Sequence, residues 1–168
     1  MTPRFAFAFL ILLIFTGPPA LAGETSSAIE FHGLKCSSPI AFSAPTSAGL
    51  DALRVIHPAD AKSGGEKMSL IAVNFSKDSG MSDAELLEYV GTTFLAASTP
   101  GKPVARTVLG KKVTGQAMEK KIPSPSLTEI YVATKKNGNK VVIGFVFIPT
   151  FSKEAEKAIA GITATMKE

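Results

Sequence analysis

The side chains on which this chain could build chemistry are few: one cysteine, two histidines and a concentration of lysines. Cys36 would need a base such as histidine and a group to orient it before it could act as a nucleophile. His32 lies just upstream and His57 falls on a later apolar run, so a Cys–His pair is one arrangement the fold could produce. The flanking residues Leu34-Lys35-Cys36-Ser37-Ser38-Pro39 match no thiol-enzyme motif, although Lys35 would draw a thiol pKa slightly down. A lone thiol could also link two chains, or simply pack as a small side chain. His32, His57 and Asp60 lack a recognised ligand spacing, and structural zinc takes four N or S ligands, so no metal is expected. Ser63-Gly64-Gly65-Glu66-Lys67 has the look of a phosphate loop without its consensus, and it joins two apparent strands, so it reads as a turn. No Gly-x-Ser-x-Gly elbow, His-Glu-x-x-His helix or Ser-x-x-Lys motif is present. The close carboxylates Glu85 and Glu88, and Glu154 and Glu156, fall in the opening turns of two helical patterns, where negative charge suits the helix dipole. An enzyme is therefore not the expected reading, and no cofactor is implied.

The lysines are more informative. Between residues 100 and 140 there are nine basic residues against two acidic ones, whereas the preceding stretch from residue 23 is net acidic. Lys111, Lys112, Lys120, Lys121, Lys135, Lys136 and Lys140 lie at or near the ends of strand-like runs, so hairpin tips could gather them into one positive rim. Such a rim would meet an acidic protein of the cell envelope or an anionic lipid surface. Lysines at strand ends also prevent edge-to-edge aggregation, which accounts for them without any partner. Nucleic acid is a poor candidate, since Tyr131 is the one aromatic in that stretch able to stack on a base.

Residues 1–22 read as an export signal. Arg4 precedes the unbroken apolar run Phe5–Phe15, and Gly17-Pro18-Pro19 leads to the small-x-small site Ala20-Leu21-Ala22. That run gives about 16 Å of helix, too short for a hydrocarbon core of about 30 Å. No Cys follows the cleavage site, so lipid attachment is not expected, and the processed chain should be periplasmic or secreted with no membrane span. At 45% apolar and 19% charged, the chain has the composition of one that buries a core. Its length suits one domain. The expected organisation is a signal at 1–22, a flexible leader at 23–30 and a single domain at 31–168.

The elements that would position these residues follow from local pattern. Short strands are expected between Phe31 and Pro45, then over Leu53–His57 and Ser69–Ser76, the latter with Ile71, Val73 and Phe75 on one face. Ser82-Asp83-Ala84-Glu85 is a capping box, and Leu86, Val90, Phe94 and Ala97 continue it at helical spacing until Pro100-Gly101. Strands at Val104–Leu109, Val113–Ile122 and Leu127–Lys135 come next. Asn137-Gly138 accepts the positive φ of a tight hairpin turn into Val141–Ile148, which is apolar on both faces as a doubly covered strand should be. Ser152 then reads as the cap of a last helix striped by Ala155, Ile159, Ile162 and Met166. Hairpin-linked strands with two amphipathic helices make an α+β fold: an antiparallel sheet with both helices packed on it.

That order, with the turn Gly110-Lys111-Lys112 followed by Gly115, the Asn-Gly hairpin, a long apolar return strand and a short C-terminal helix, resembles the PsbP/DcrB/Mog-type fold over about residues 40–166. The resemblance implies a non-enzymatic protein-binding or lipid-binding module and carries no catalytic residue. A second ligand mode would be a pocket between sheet and helices, lined by residues such as Phe94, Phe145 and Phe147, that carries a small apolar molecule or lipid.

Overall fold

Antiparallel pairing joins the strands that the apolar alternation marks out. The structure, a computed structural model, describes residues 27–62, 65–95, 101–120 and 124–168. The export signal expected over 1–22 lies outside the described residues, as does Lys121. The chain opens with a separate hairpin of β1 (Ser27–Phe31) and β2 (Leu34–Ser38). The leader expected over 23–30 thus gives way to a strand by Ser27, because Ile29 and Phe31 alternate inwards and are buried.

The main sheet has seven strands in the order β3-β4-β5-β9-β8-β7-β6. Its members are β3 (Thr46–Gly49), β4 (Ala52–His57), β5 (Met68–Phe75), β6 (Lys102–Val108), β7 (Lys111–Lys120), β8 (Ser126–Thr134) and β9 (Lys140–Phe147). Helix α1 (Asp83–Phe94) follows β5, and α2 (Ser152–Thr165) closes the chain. β9 is the centre of the sheet, paired along its whole length with β5 and β8, which is why its run is apolar on both faces.

Alternation along the strands divides the interior in two. Val55, Met68, Leu70, Tyr131, Val141, Ile143 and Phe145 face α2 and the β1–β2 hairpin, where Ala155, Ala158, Ile159 and Ile162 meet Phe31 and Leu34. Ile71, Val73, Ile130, Val132 and Val142 face the other way, against Leu86, Leu87 and Val90 of α1. The helices therefore cover opposite faces of one α+β sheet. This placement corrects the expected apolar pocket. Phe145 and Phe147 are on the α2 side and Phe94 is on the α1 side, so the three cannot line one cavity.

The helix starts differ from each other. Ser82 Oγ accepts from the Glu85 N–H at 3.3 Å while the Glu85 carboxylate accepts from the Ser82 N–H at 2.7 Å, the reciprocal box that the sequence implies. These bonds to Ser82, the backbone one first, hold the Glu85 carboxyl below its usual range. Ser152, in contrast, is the first helical residue, and its side chain does not cap the start of α2. A 3-10 turn at Pro149–Phe151 leads straight into the helix and puts Phe151 in the cap position. The Asn-Gly hairpin is also one residue longer than a two-residue turn. Lys135 donates its N–H to Asn139 O at 2.8 Å, and positive φ falls on Gly138 alone, at 86°.

Candidate functional site

Strand direction decides where the lysines go. In an antiparallel meander successive turns fall at alternate ends, so the β6–β7 and β8–β9 turns share one end and the β7–β8 connection lies at the other. Lys111, Lys112, Lys135, Lys136 and Lys140 are brought together at the first end. Lys120 pairs with Ser126 at the far end of ten-residue β7, about 30 Å away at roughly 3.3 Å per residue. The seven-lysine rim expected from the sequence is therefore a five-lysine group, with Lys120 outside it.

Within that group the lysines do different jobs. Lys140 Nζ donates to Asp83 Oδ1 at 2.7 Å and to the Met81 carbonyl at 3.2 Å, tying the centre of the sheet to the start of α1. Lys135 Nζ donates to the His32 carbonyl at 2.8 Å and fastens the β1–β2 hairpin. Lys136 gives only its backbone N–H, to the Glu168 carboxylate at 2.8 and 3.1 Å, and its side chain stays exposed. Lys111 and Lys112 are exposed at the mouth of the β6–β7 turn and enter no ion pair among the described residues. The same end of the sheet carries the β3–β4 turn, where Leu50 is 71% exposed and both Leu50 and Asp51 hold positive φ. A bulky residue in that conformation costs energy wherever the surroundings impose it.

The thiol and the imidazoles do not converge. Cys36 is buried against the α2 side, its Sγ 3.7 Å from the Ile29 carbonyl, and burial pushes its pKa up to about 11. Lys35 lies on the outer face of the same strand with Glu30, at 3.7 Å, so the expected lowering by Lys35 gives way to desolvation. His32 Nε2 meets the Ala72 carbonyl at 3.1 Å, and its Nδ1 lies 3.6 Å from Asp51. His57 closes β4 at the opposite end, roughly 20 Å from Asp51 along the strand. Its Nδ1–H donates to the Ala41 carbonyl at 2.7 Å, and its ring stacks on Phe151. Among the described residues no three His, Cys, Asp or Glu side chains are grouped to hold a metal ion. A measurable consequence follows for Cys36: native protein at pH 8 should resist a thiol reagent such as DTNB, and the unfolded chain should react at once. Labelling of the native chain as fast as that of the unfolded one would contradict the buried, high-pKa placement.

Sequence reading missed one constellation. Arg106 on β6, Glu129 and Tyr131 on β8 and Glu156 on α2 form a joined polar network. Arg106 donates from Nη1 and Nη2 to the Glu156 carboxylate, each at 2.6 Å, and from Nε and Nη2 to Glu129 at 3.1–3.3 Å. Tyr131 donates its hydroxyl to Glu129 Oε2. The Glu156 bonds, then those to Tyr131 and Glu129, raise the Arg106 pKa further, and Arg106 in turn holds the Glu156 carboxyl below its usual range. Burial first, and the Glu129 bond second, raise the Tyr131 phenol. The network satisfies polar groups that α2 would otherwise cover, and it fixes that helix to the sheet edge. Glu129 and Tyr131, two apart on a strand, necessarily share a face, which was the local signal available.

A shallow depression of about 420 Å³ opens on the α1 side, between the last residues of α1 and the sheet. Ala48, Arg54, Ser69, Ile71 and Val146 line it from four strands, and Thr93, Phe94 and Leu95 from the end of α1. Of the three phenylalanines expected around a pocket, Phe94 is the one found here.

No family model matches the sequence, and no curated protein matches it. Solved structures do match the fold. The Ran-binding protein Mog1p of Saccharomyces cerevisiae superposes with a TM-score of 0.59 at 10% identity, covering 86% of this chain and 95% of Mog1p. A Bacteroides thetaiotaomicron protein gives a TM-score of 0.46 at 12% identity, over 80% of this chain and 44% of its own. A Pseudomonas aeruginosa protein of unknown function gives 0.40 at 11% identity, over 82% and 95%. The Mog1p likeness supports a Mog/PsbP-type fold.

Proposed function

We propose that this chain is a non-enzymatic binding module that docks an acidic protein surface against the turn end of its sheet. The supporting observation is the division of labour among the lysines there. Lys135 and Lys140 are consumed by internal bonds, while Lys111, Lys112 and Lys136 project without an ion pair among the described residues. Long cations held at rigid hairpin ends attract an acidic partner from a distance and release it as salt rises. Mog1p, which shares the fold, is a Ran-binding protein, and that favours a protein over a lipid as the occupant. With the export signal read at residues 1–22, the module would act in the periplasm or outside the cell.

Site-specific photo-crosslinking in the producing cell tests the proposal. A photoreactive residue at Lys112 should give a discrete protein adduct that disappears in Lys111→Glu/Lys136→Glu, and one at Lys120 should give none. With a purified adduct partner, the double reversal should weaken binding about 10-fold or more at low salt and much less at high salt. Adducts to lipid at position 112 would favour the membrane surface instead. Equal adducts at 112 and 120 would sink the docking surface.

A further inference from the structure

Arg54 differs in its bonding from Arg106, Lys140 and Lys135. Arg106 uses its whole guanidinium fork, Lys140 has two acceptors and Lys135 has one. Among the described residues Arg54 has a single ion pair, to Glu66 at 3.8 Å, and its Nε is buried with no hydrogen-bond partner. A guanidinium carries five donors, and a buried donor left unmade costs the desolvation of that group. Its position shows what could repay that cost: Arg54 lines the depression beside α1, with Ser69 and Thr93 as hydroxyl neighbours and Ile71, Val146, Phe94 and Leu95 as apolar ones. The floor is set by alternation, since Thr46 pairs with Arg54, Arg54 with Ile71 and Ser69 with Val146 across four strands.

We propose that this depression is a binding site for a carboxylate joined to a compact apolar group. The charge around it selects a single negative charge. Arg54 supplies one cation, Glu66 already lies beside it, and the end of α1 that forms the wall carries no basic residue in its last turn. The carbonyl end of a helix is a partial negative pole, so a doubly charged phosphate would meet repulsion where a carboxylate meets a two-donor fork. The apolar group would lie on Ile71 and Val146 beneath the Phe94 ring. The same chemistry is offered by a small aryl or alkyl acid and by the free C-terminus of a peptide ending in an apolar residue.

Methyl and arginine Nε–H NMR of the full chain, titrated with phenylacetate, tests the site. Saturable shifts are expected at the Ile71 and Val146 methyls and at Arg54 Nε–H, and phenylacetamide should produce none of them. Arg54→Met should weaken phenylacetate binding about 10-fold or more, the amount carried by hydrogen bonds to a charged group. Arg54→Lys, which retains the charge without the fork, should recover part of that loss. Peptides ending in Phe, as free acid and as amide, identify the source: an acid form tighter than phenylacetate assigns the site to a chain terminus, and a weaker one to a small molecule. Equal binding of phenylacetamide, no shifts at these methyls, or unchanged affinity in an Arg54→Met protein whose remaining spectrum is native would overturn the proposal. Lys111→Glu should leave phenylacetate binding intact, so the two surfaces can fail separately.

Discussion

Gly115→Ala should lower stability by about 3 kcal/mol, the scale on which a rigid core resists overpacking. That is a fall of roughly 10 °C in Tm for a domain of this size. A Cβ at position 115 would run into the Ile130 carbonyl and the Tyr131 ring, both in the neighbouring strand β8. The first of these is backbone, so it cannot swing aside as a flexible side chain would, and β7 must move bodily or the pairing from Gln116 onwards must yield. The adjacent Thr114 is exposed, and Thr114→Ala should change stability by no more than about 0.5 kcal/mol. Thermal unfolding of the two variants side by side decides the matter. A Gly115→Ala protein melting with the wild type would mean that β7 does not approach β8 this closely.

Arg106→Met is expected to cost about 3 kcal/mol as well, through charge instead of volume. Glu129 is 13% exposed and would keep only the Tyr131 hydroxyl, leaving a covered carboxylate without its cation. Glu156 is 56% exposed and can turn to water, so Glu156→Gln should cost under about 1 kcal/mol. The pH dependence separates this from a general loss of packing. Glu156 has its folded pKa depressed by Arg106, so below the ordinary carboxylate value of 4.5 the unfolded chain takes up the proton first. Its contribution is present above pH 4.5 and is lost as pH falls through the folded value. Wild-type stability should therefore drop on acidification through that window, and the Arg106→Met curve should be flatter there. Parallel acid limbs in chemical denaturation would show that Arg106 does not hold Glu156.

Where one element's own residues carried the pattern, the sequence was readable. The Ser82–Glu85 box placed the start of α1 because both partners of the bond lie within one turn. The Val141–Ile148 run showed a strand covered on both sides because no position in it is polar. Gathering all seven lysines into one rim overlooked that successive turns of a meander fall at alternate ends, which separates Lys120 from the others once the strands pair in succession. The Arg106 network joins residues from β6, β8 and α2, and nothing local marks four side chains that meet only after the sheet is assembled. The Arg54 depression is similar. Its floor draws on β3, β4, β5 and β9, and the missing hydrogen-bond partner of the Arg54 Nε is a property of the finished packing. Helix faces were beyond reach for another reason: each stripe says which side of the helix is greasy, and neither says which side of the sheet it will cover.

The central seat of β9 has a consequence for how the polypeptide matures. Strands β3, β4 and β5 can zip together from neighbouring residues, yet β5 then waits with a bare, apolar flank until the penultimate element has been made. Ribosome-tethered or partly threaded chains that stop short of residue 140 would carry that open seam, and late long-range closure of this kind slows folding. Truncations before β9 should thus be sticky and protease-sensitive, whereas ending the chain after Phe147 would seal the sheet and leave only the α2 side unroofed.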